Sequence, residues 1–344
     1  MRGVVTQNGK LELRDIDEPI PATGQVLVRT LTCGICGTDL HARDHMHEFL
    51  TGLQRSGNPL PTQPEQGVVF GHEFCAEILD HGPATSAQFK PGTRVVGLPF
   101  LTSARGAEYV GYSDQFPGGF AERMVLTEKL LFEVPNGLPA EHAALTEPFS
   151  VGAHAVARAN VPKDAVVMVV GCGPIGLAVI AALKARGIGP VIGVDFSPGR
   201  RRFAEAMGAD EVVDAAQESQ ASVWSRHGAG RKGRRAVVFE CVGRPHIAQK
   251  IIDEVPRNAL VVVVGNVLGD SSIDQVVAFN KELDICFTMN YSPAEFKQTL
   301  HDLAEGRIEA ESIVTGIVGP EGVAQAFTDL ADAERHAKII VKFD

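Results

Sequence analysis

The chain of 344 residues is poor in cysteine and in positive charge. Its six cysteines are scattered and mostly lie in apolar runs, so no disulfide framework is indicated and a reducing, cytoplasmic setting is expected. Acidic residues number 42 and basic residues 32, which gives a formal net charge of -10. A surface of that sign does not favour nucleic acid or an anionic membrane as a partner.

Neither a targeting segment nor a membrane span is expected from the sequence. Residues 1–10 have no long apolar core and no cleavage pattern, and they are expected to form the first strand. The uncharged run 165–183 is nominally long enough to cross a bilayer, but three glycines and a proline interrupt its middle. A strand, a tight turn and a buried helix are therefore expected there.

The pattern of apolar and turn-forming residues divides the chain into parts. Residues 1 to about 148 read as short strands with many turns, in which no helical period dominates, so this part is expected to be mainly β. A helix is predicted over 142–159. After it, apolar strands at 166–170, 191–196, 211–213, 236–241 and 260–265 alternate with helices such as 200–207. This alternation indicates a parallel sheet with covering helices.

The last part of the chain returns to a mixed pattern. A helix is predicted over 292–305, with Ser292 as its N-cap and Pro293 at its first position. A second helix is predicted over 321–332 and a final strand over 338–342.

Two stretches could hold a metal. The first is Cys33-Gly-Ile-Cys36-Gly-Thr38-Asp39-Leu-His41, and the second is Gly71-His72-Glu73. A thiolate and an imidazole suit zinc in tetrahedral geometry. Taken alone, the Cys-x-x-Cys pair fits a metal ligand, a redox thiol or an inert buried cysteine about equally well.

A glycine-rich turn supplies the second signal. Gly171-Cys-Gly173-Pro174-Ile175-Gly176 follows an apolar strand and opens an apolar helix. In this setting the glycines permit the turn, the approach of a pyrophosphate and close helix packing, and the helix N-terminus offers free N–H groups to phosphates. Asp195 ends the next strand, about 20 residues further on, where it can accept hydrogen bonds from a ribose.

With these motifs and Glu147-Pro-Phe-Ser-Val-Gly-Ala-His154, the chain resembles the zinc-dependent medium-chain alcohol dehydrogenases over essentially its full length. The polyol and butanediol dehydrogenase branch is the most similar. The resemblance implies an α/β fold with a GroES-like, mainly β catalytic domain and a Rossmann domain with a doubly wound parallel sheet. The expected boundaries are 1–148 and 289–344 for the catalytic domain, and 149–288 for the Rossmann domain.

The resemblance also implies roles by position. Cys36, His72 and Glu147 match the zinc ligands, and Glu73 matches a glutamate that lies beside the zinc and sometimes binds it. Asp39 matches the carboxylate that orients the ligating imidazole. Thr38 and His41 match a proton relay. The cofactor residues comprise the glycine turn, the adenosine-ribose contacts and the loops near the nicotinamide. They are Gly171, Gly173, Pro174, Ile175, Gly176, Asp195, Arg200, Cys241, Val242, Gly265, Asn266 and Val267.

Two departures from the family pattern matter. Relatives often carry a structural zinc held by four cysteines, whereas the corresponding region, 98–120, contains no cysteine here. Its glycines, prolines and aromatic residues suggest a loop held by turns and aromatic packing, so one catalytic zinc per chain is expected. The stretch between Cys36 and His72 is longer than usual. His45 and His47 lie in the added segment, and an exposed role without metal is expected for both.

The expected reaction is the reversible, NAD-linked oxidation of a secondary alcohol to a ketone. Three alternatives stay open at this point. The first is an NAD(P)H-dependent enone reductase of the zinc-free type, which would lack the ligand set. The second is a thiol redox protein that uses Cys33 and Cys36. The third is a non-enzymatic zinc and nucleotide-binding protein with a closed site of four ligands, one of which Cys33 could supply.

Two further expectations concern the cofactor and the assembly. NAD is expected over NADP, because Asp195 would repel a 2′-phosphate, although Arg200, Arg201 and Arg202 nearby could bind one. A homodimer or homotetramer is expected mostly from the family resemblance. The sequence adds only the apolar segment 283–289, which could form an edge strand that pairs with a second copy.

Overall fold

The computed structural model describes residues 1–230 and 234–343. Short strands predominate in the first part of the chain, in agreement with the predicted mainly β region. These strands are β1 (Arg2–Gln7), β2 (Lys10–Asp15), β3 (Gln25–Gly34), β4 (Val68–Val69), β5 (Glu73–His81), β6 (Arg94–Gly97), β7 (Phe100–Ser103), β8 (Gly106–Tyr109), β9 (Arg123–Thr127) and β10 (Leu131–Glu133).

A helical segment with a kink at His45 interrupts this β region, where the sequence predicts no dominant helical period. Helix α1 (Gly37–Arg55) covers the start of the metal-binding stretch and much of the added segment. Cys36 is its N-cap, and a capping box with Asp39 fixes its first turn. The only apolar residues that it buries are Ala42 and Met46. Such a narrow apolar stripe leaves little helical period to recognise in the sequence.

The middle of the chain forms the predicted parallel sheet. Two helices, α2 (Ala140–Ala143) and α3 (Thr146–Ala159), stand where one helix over 142–159 is predicted. The following elements are β11 (Val166–Val170), α4 (Pro174–Ala185), β12 (Val191–Asp195), α5 (Pro198–Ala206), β13 (Glu211–Asp214), α6 (Gln220–Arg226), β14 (Ala236–Glu240), α7 (Ile247–Glu254), β15 (Leu260–Val263), α8 (Gln275–Asn280) and β16 (Asp284–Phe287). All pairs are parallel, in the order β13-β12-β11-β14-β15-β16.

The run 165–183 resolves as expected into β11, the glycine turn and the buried helix α4. Every residue of β11 is buried, as a central parallel strand covered on both faces requires. Within the described residues, no helix combines the length and apolarity needed to cross a membrane.

The end of the chain returns to the β region. The elements are α9 (Pro293–Ala304), β17 (Val314–Val318), α10 (Val323–Asp329) and β18 (Lys338–Lys342). Ser292 caps α9 and forms a capping box with Glu295. An antiparallel-rich sheet runs β10-β6-β5-β3-β18-β17, with β9 also on β3, so strands from both ends of the chain share one sheet.

The strand register in this sheet brings the two metal-binding stretches close together. Antiparallel pairing of β3 with β5 sets Gly34 opposite Glu73, and pairing of β18 with β3 sets Ile340 opposite Gly34. A Cβ atom on Gly34 would lie 2.1 Å from Oε2 of Glu73, so any larger residue would displace the Glu73 carboxylate. The loop after β3, the start of β5 and the start of β18 therefore meet at one place.

The region 98–120 is held without cysteine. The β7–β8 hairpin brings the Phe100 and Tyr109 rings together at 4.7 Å between centroids, which agrees with the expected aromatic packing. The sequence does not predict an accompanying ion cluster. The Arg105 guanidinium donates to the Glu108 carboxylate at 3.1 and 3.2 Å and to that of Asp114 at 2.7 and 3.2 Å. Both carboxylate side chains are fully buried, so this cluster cross-links the region.

Candidate active site

Three potential metal ligands converge where β3, β5 and β18 meet. Ligand atoms of Cys36, His72 and Glu73 all lie within 4.8 Å of one another. They form the only such group among the residues that the structure describes. His72 and Glu73 are buried, and Cys36 is half-buried. A set of sulfur, nitrogen and oxygen donors in which the cysteine is half-buried suits zinc with an open coordination position.

The local fold of α1 fixes the Cys36 thiol. Its Sγ accepts a hydrogen bond from the Thr38 backbone N–H at 3.4 Å, while the Cys36 N–H donates to Oδ2 of Asp39 at 3.1 Å. Helix N-terminal N–H groups stabilise a thiolate. The cysteine is therefore oriented before any metal arrives.

A buried carboxylate and a tyrosine flank the imidazole. Asp39 is fully buried, and its Oδ1 lies 3.4 Å from Nδ1 of His72 and accepts a hydrogen bond from the Tyr112 hydroxyl at 2.8 Å. Within the described residues Nδ1 of His72 has no partner that meets hydrogen-bond geometry. With Nδ1 facing Asp39, Nε2 is available to a metal, which is the arrangement expected of Asp39.

Glu73 has a partner that the sequence does not suggest. The ammonium group of Lys338 donates to both carboxylate oxygens of Glu73 at 2.8 Å and to the Ile35 carbonyl oxygen at 3.0 Å. The side chains of Lys338 and Glu73 are each 1% exposed. Glu73 is thus close enough to bind a metal but is held by a buried cation.

Glu147, the third predicted ligand, lies in the same environment but outside the close group. It is buried at the start of α3, and its Oε1 accepts a hydrogen bond from the Tyr291 hydroxyl at 2.9 Å. Burial raises the pKa of its carboxyl to about 7, and the charge of Glu73 adds to the rise while His72 opposes it. Its role as a ligand therefore stays a prediction.

The charges of this site fit a bound cation. Burial lowers the pKa of His72, but the neighbouring Asp39 carboxylate and Cys36 thiolate raise it by more, so the net shift is well upward. Burial likewise lowers the pKa of Lys338, and the Glu73 carboxylate more than reverses this. Both shifts report a strongly negative local potential. A divalent metal would neutralise that potential, and the donor set is one that zinc prefers.

The two relay residues stand together on α1. Thr38 is half-buried next to Cys36, and His41 is exposed one turn further along. Their spacing puts both side chains on one face of the helix. No hydrogen bond joins them in the described residues, and their shared role stays a prediction.

The remaining candidate ligands lie elsewhere. Cys33 is fully buried, with its thiol directed at the Gly34 carbonyl oxygen, 3.6 Å away, and packed against Gly119. Burial raises the pKa of Cys33 well above that of a free thiol, which keeps it protonated. His45 and His47 are exposed, as expected, and pair with Glu48 and Glu65, and their role without metal stays a prediction.

The glycine turn has the geometry that a pyrophosphate needs. Gly171 adopts φ +91°, where side chains are disfavoured, and a Cβ on Gly176 would lie 1.9 Å from the Gly171 carbonyl oxygen. By contrast, a Cβ on Gly173 would meet nothing within 4 Å. Gly173 is also the N-cap of α4, with Pro174 at the first helical position, so open space adjoins the free N–H groups of that helix, Ile175 among them.

Asp195 sits at the end of β12 beside this turn. Its carboxylate accepts hydrogen bonds from the backbone N–H groups of Cys172 at 2.8 Å and Ser197 at 2.9 Å, and Nη1 of Arg200 lies 3.8 Å away. Only 8% of Asp195 is exposed. A carboxylate fixed in this way is suited to accept ribose hydroxyl groups.

The two predicted nicotinamide loops are tied together by Glu240, a buried acid that the sequence does not single out. Its Oε1 accepts hydrogen bonds from the N–H groups of Val242 at 2.7 Å and Gly243 at 2.9 Å, and its carbonyl oxygen accepts one from Gly265 at 2.9 Å. Val242 and Asn266 are exposed, whereas Cys241, Gly265 and Val267 are half-buried.

Sequence reasoning misses four residues that complete the site: Tyr112, Glu240, Tyr291 and Lys338. One signal was available for two of them. Lys338 opens a strand of buried apolar residues, and Glu240 ends another, and buried charges in such strands require partners. The tyrosines carry no comparable local signal.

Comparisons with known proteins agree with this geometry. Residues 22–136 match the family described as alcohol dehydrogenase GroES-like domain, and residues 174–305 match the family described as zinc-binding dehydrogenase. The chain is 32% identical over 346 residues to (R,R)-butanediol dehydrogenase of Bacillus subtilis (strain 168), with 96% of each chain covered. It is 30% identical over 336 residues to sorbitol dehydrogenase of the same organism, with 92% of this chain and 89% of that protein covered.

Solved structures give the same result. The crystal structure of 2R,3R-butanediol dehydrogenase from Bacillus subtilis superimposes with a TM-score of 0.85 at 28% sequence identity. The match covers 100% of this chain and 99% of the other. The likeness therefore extends over the whole chain.

Removal of Glu147 tests its predicted role as a ligand. Glu147→Ala should weaken zinc retention by at least about 10- to 100-fold, the cost of losing even an outer-shell partner, and activity should fall with it. Glu128→Ala is the control, because Glu128 is equally buried but accepts its hydrogen bonds from Ser86 and Gln88 in a distant loop. Zinc content after dialysis against a chelator gives the measurement. Full zinc occupancy with an unchanged rate would reject the role.

Asp195→Gly tests cofactor choice. Loss of the carboxylate removes both the ribose acceptor and the repulsion of a 2′-phosphate, while Arg200 remains nearby. The ratio of kcat/KM with NAD to kcat/KM with NADP should fall by about tenfold or more, which corresponds to about 1.4 kcal/mol. Steady-state kinetics with both cofactors measures this ratio. Wild-type protein that uses NADP as well as NAD would contradict the prediction.

Proposed function

This chain belongs to the zinc-dependent medium-chain alcohol dehydrogenases, in their polyol and butanediol branch, and we propose that its substrate is a vicinal diol or a polyol. The enzyme is an NAD-linked oxidoreductase that interconverts a secondary alcohol and a ketone. The names of the relatives, butanediol and sorbitol dehydrogenase, support the choice of a substrate with more than one hydroxyl group.

One observation carries the proposal: the grouping of Cys36, His72 and Glu73 with ligand atoms within 4.8 Å of one another. Three protein donors leave a coordination position for a substrate, whereas a structural zinc site is closed by four. The group also argues against a reductase of the zinc-free type. Cys33 turns its thiol to a backbone carbonyl, which weakens both the thiol redox alternative and the closed site.

When bound, zinc supplies a Lewis acid that polarises the substrate oxygen, and NAD supplies the hydride acceptor. The chain's own residues do the rest. Asp39 and Tyr112 orient the His72 ring, and the α1 N-terminus holds the Cys36 thiolate. We assign Thr38 and His41 to proton transfer, with Thr38 taking the proton of the reacting hydroxyl group and the exposed His41 passing it to water.

We further propose the domain boundaries expected from the sequence, with 1–148 and 289–344 as the catalytic domain and 149–288 as the Rossmann domain. The sheet order supports them, because β3 and β18 pair with each other while β11 to β16 pair only among themselves. A cytoplasmic location is proposed as well. In its support, all six cysteines are unpaired thiols.

A homodimer or homotetramer is our proposal for the assembly. The apolar segment predicted at 283–289 supports it, because β16 is an outer strand of the parallel sheet. Phe287 is 63% exposed, Met289 69% and Phe279 on the preceding helix 81%. A sheet edge with exposed large apolar side chains is suited to pair with a second copy. Light scattering at micromolar concentration should give twice or four times the chain mass, and a monomer would contradict the proposal.

The function is tested by an alcohol screen on zinc-analysed protein. Desalted protein should hold close to one zinc per chain and reduce NAD with vicinal diols or polyols. A chelator should abolish the activity, and added zinc should restore it. Two tightly held ions, or full activity without any, would overturn the one-zinc assignment. Reduction of an activated enone in place of alcohol oxidation would favour the reductase.

A further inference from the structure

We propose that the hydroxyl group of Tyr109 binds the second hydroxyl group of the substrate, beside the one that is oxidised. This inference rests on the proposed function and names the residue that makes the enzyme prefer a vicinal diol or polyol over a simple alcohol. Tyr109 ends β8 and is half-buried.

The distribution of tyrosine points to this role. The chain has only three tyrosines, and all three lie at the metal site. The Tyr112 hydroxyl donates to Asp39, and the Tyr291 hydroxyl donates to Glu147. The Tyr109 hydroxyl makes no hydrogen bond to any residue that the structure describes. The hydroxyl groups of Tyr112 and Tyr291 therefore donate to carboxylates of the site, whereas that of Tyr109 is available to a ligand.

Ring contacts fix where this third phenol lies. The Tyr109 ring meets the His72 ring edge-on at 5.8 Å between centroids and lies 5.3 Å from the Tyr112 ring. A phenol hydroxyl group at this position can both donate and accept a hydrogen bond.

The surrounding fold holds this ring in place. Glu108, the preceding residue, is anchored by Arg105 and by the Ser103 hydroxyl at 2.8 Å. Phe100, opposite Tyr109 in the hairpin, packs edge-on against the ring. A rigid donor loses little entropy when it binds a ligand, which is what selective recognition requires.

The reacting oxygen already has its partners. Zinc bound by the ligand group would hold it, and Thr38 is assigned to its proton. The Tyr109 hydroxyl group, on a ring that contacts His72, is then available for an oxygen on the neighbouring carbon. Half-buried polar groups without a partner discriminate against ligands that cannot satisfy them.

Tyr109→Phe provides the test, with butane-2,3-diol and butan-2-ol as substrates on the zinc- and NAD-loaded enzyme. Phenylalanine keeps the ring contacts and removes only the hydroxyl group. The kcat/KM for the diol should fall by about tenfold to a hundredfold, the usual effect of leaving one polar group unpaired. The kcat/KM for butan-2-ol should change less than about threefold, because this alcohol has no second hydroxyl group to lose a partner.

Tyr112→Phe is the matched control, because it frees Asp39 and should slow both alcohols alike. An equal loss for both alcohols in Tyr109→Phe, or no loss for either, would overturn the inference while the wild-type activity upholds the proposed function. If the wild-type enzyme oxidises neither alcohol nor any other diol, the proposed function is wrong, and the inference that rests on it is wrong as well.

Discussion

The pairing of Lys338 with Glu73 is the constraint on which the site depends. A lysine ammonium that is 1% exposed would be severely destabilising without compensation, so the fold must supply acceptors for it. It does so with both oxygens of Glu73 and the Ile35 carbonyl, which lie on β5 and in the loop after β3. Because these acceptors come from two separate parts of the chain and the lysine from a third, satisfying the lysine fixes the register of β3 against β5 and β18. The same strand pairing brings Cys36 and His72 close to Glu73. The Lys338–Glu73 pair therefore both compensates the buried charge and positions the potential metal ligands.

Two buried carboxylates of the site each accept a hydrogen bond from a tyrosine in a distant part of the chain. Asp39 is held by Tyr112, and Glu147 by Tyr291. The region that supplies Tyr109 and Tyr112 carries no cysteines, and the Arg105 cluster with Glu108 and Asp114 links its strands and loop instead. A guanidinium between two buried carboxylates gives several directed bonds in one place, much as a tetrahedral metal would. This region places the Tyr109 and Tyr112 rings beside His72.

A structural feature can be predicted from the sequence when the contacts that determine it are between residues close together in the chain. The glycine turn, the N-cap at Ser292 and the alternation of strands and helices depend on neighbours in the chain, and the structure agrees with them. The edges of these elements and the split of the predicted 142–159 helix into α2 and α3 depend on packing. Lys338 lies 265 positions from Glu73, and Tyr291 lies 144 from Glu147, so no local pattern connects them. The extent of helix α1 is not evident from the sequence, because the helix buries too few apolar side chains to leave a period.

The central claim is that one open site is built with a single thiolate, from Cys36, while Cys33 stays a buried thiol. X-ray absorption at the zinc edge of the full-length protein, loaded with one equivalent of zinc, tests it most directly. The account predicts one sulfur at about 2.3 Å, with the remaining ligands nitrogen or oxygen at about 2.0–2.2 Å. Two sulfurs in the coordination sphere would show that Cys33 joins Cys36 in a more closed site, and would contradict the account.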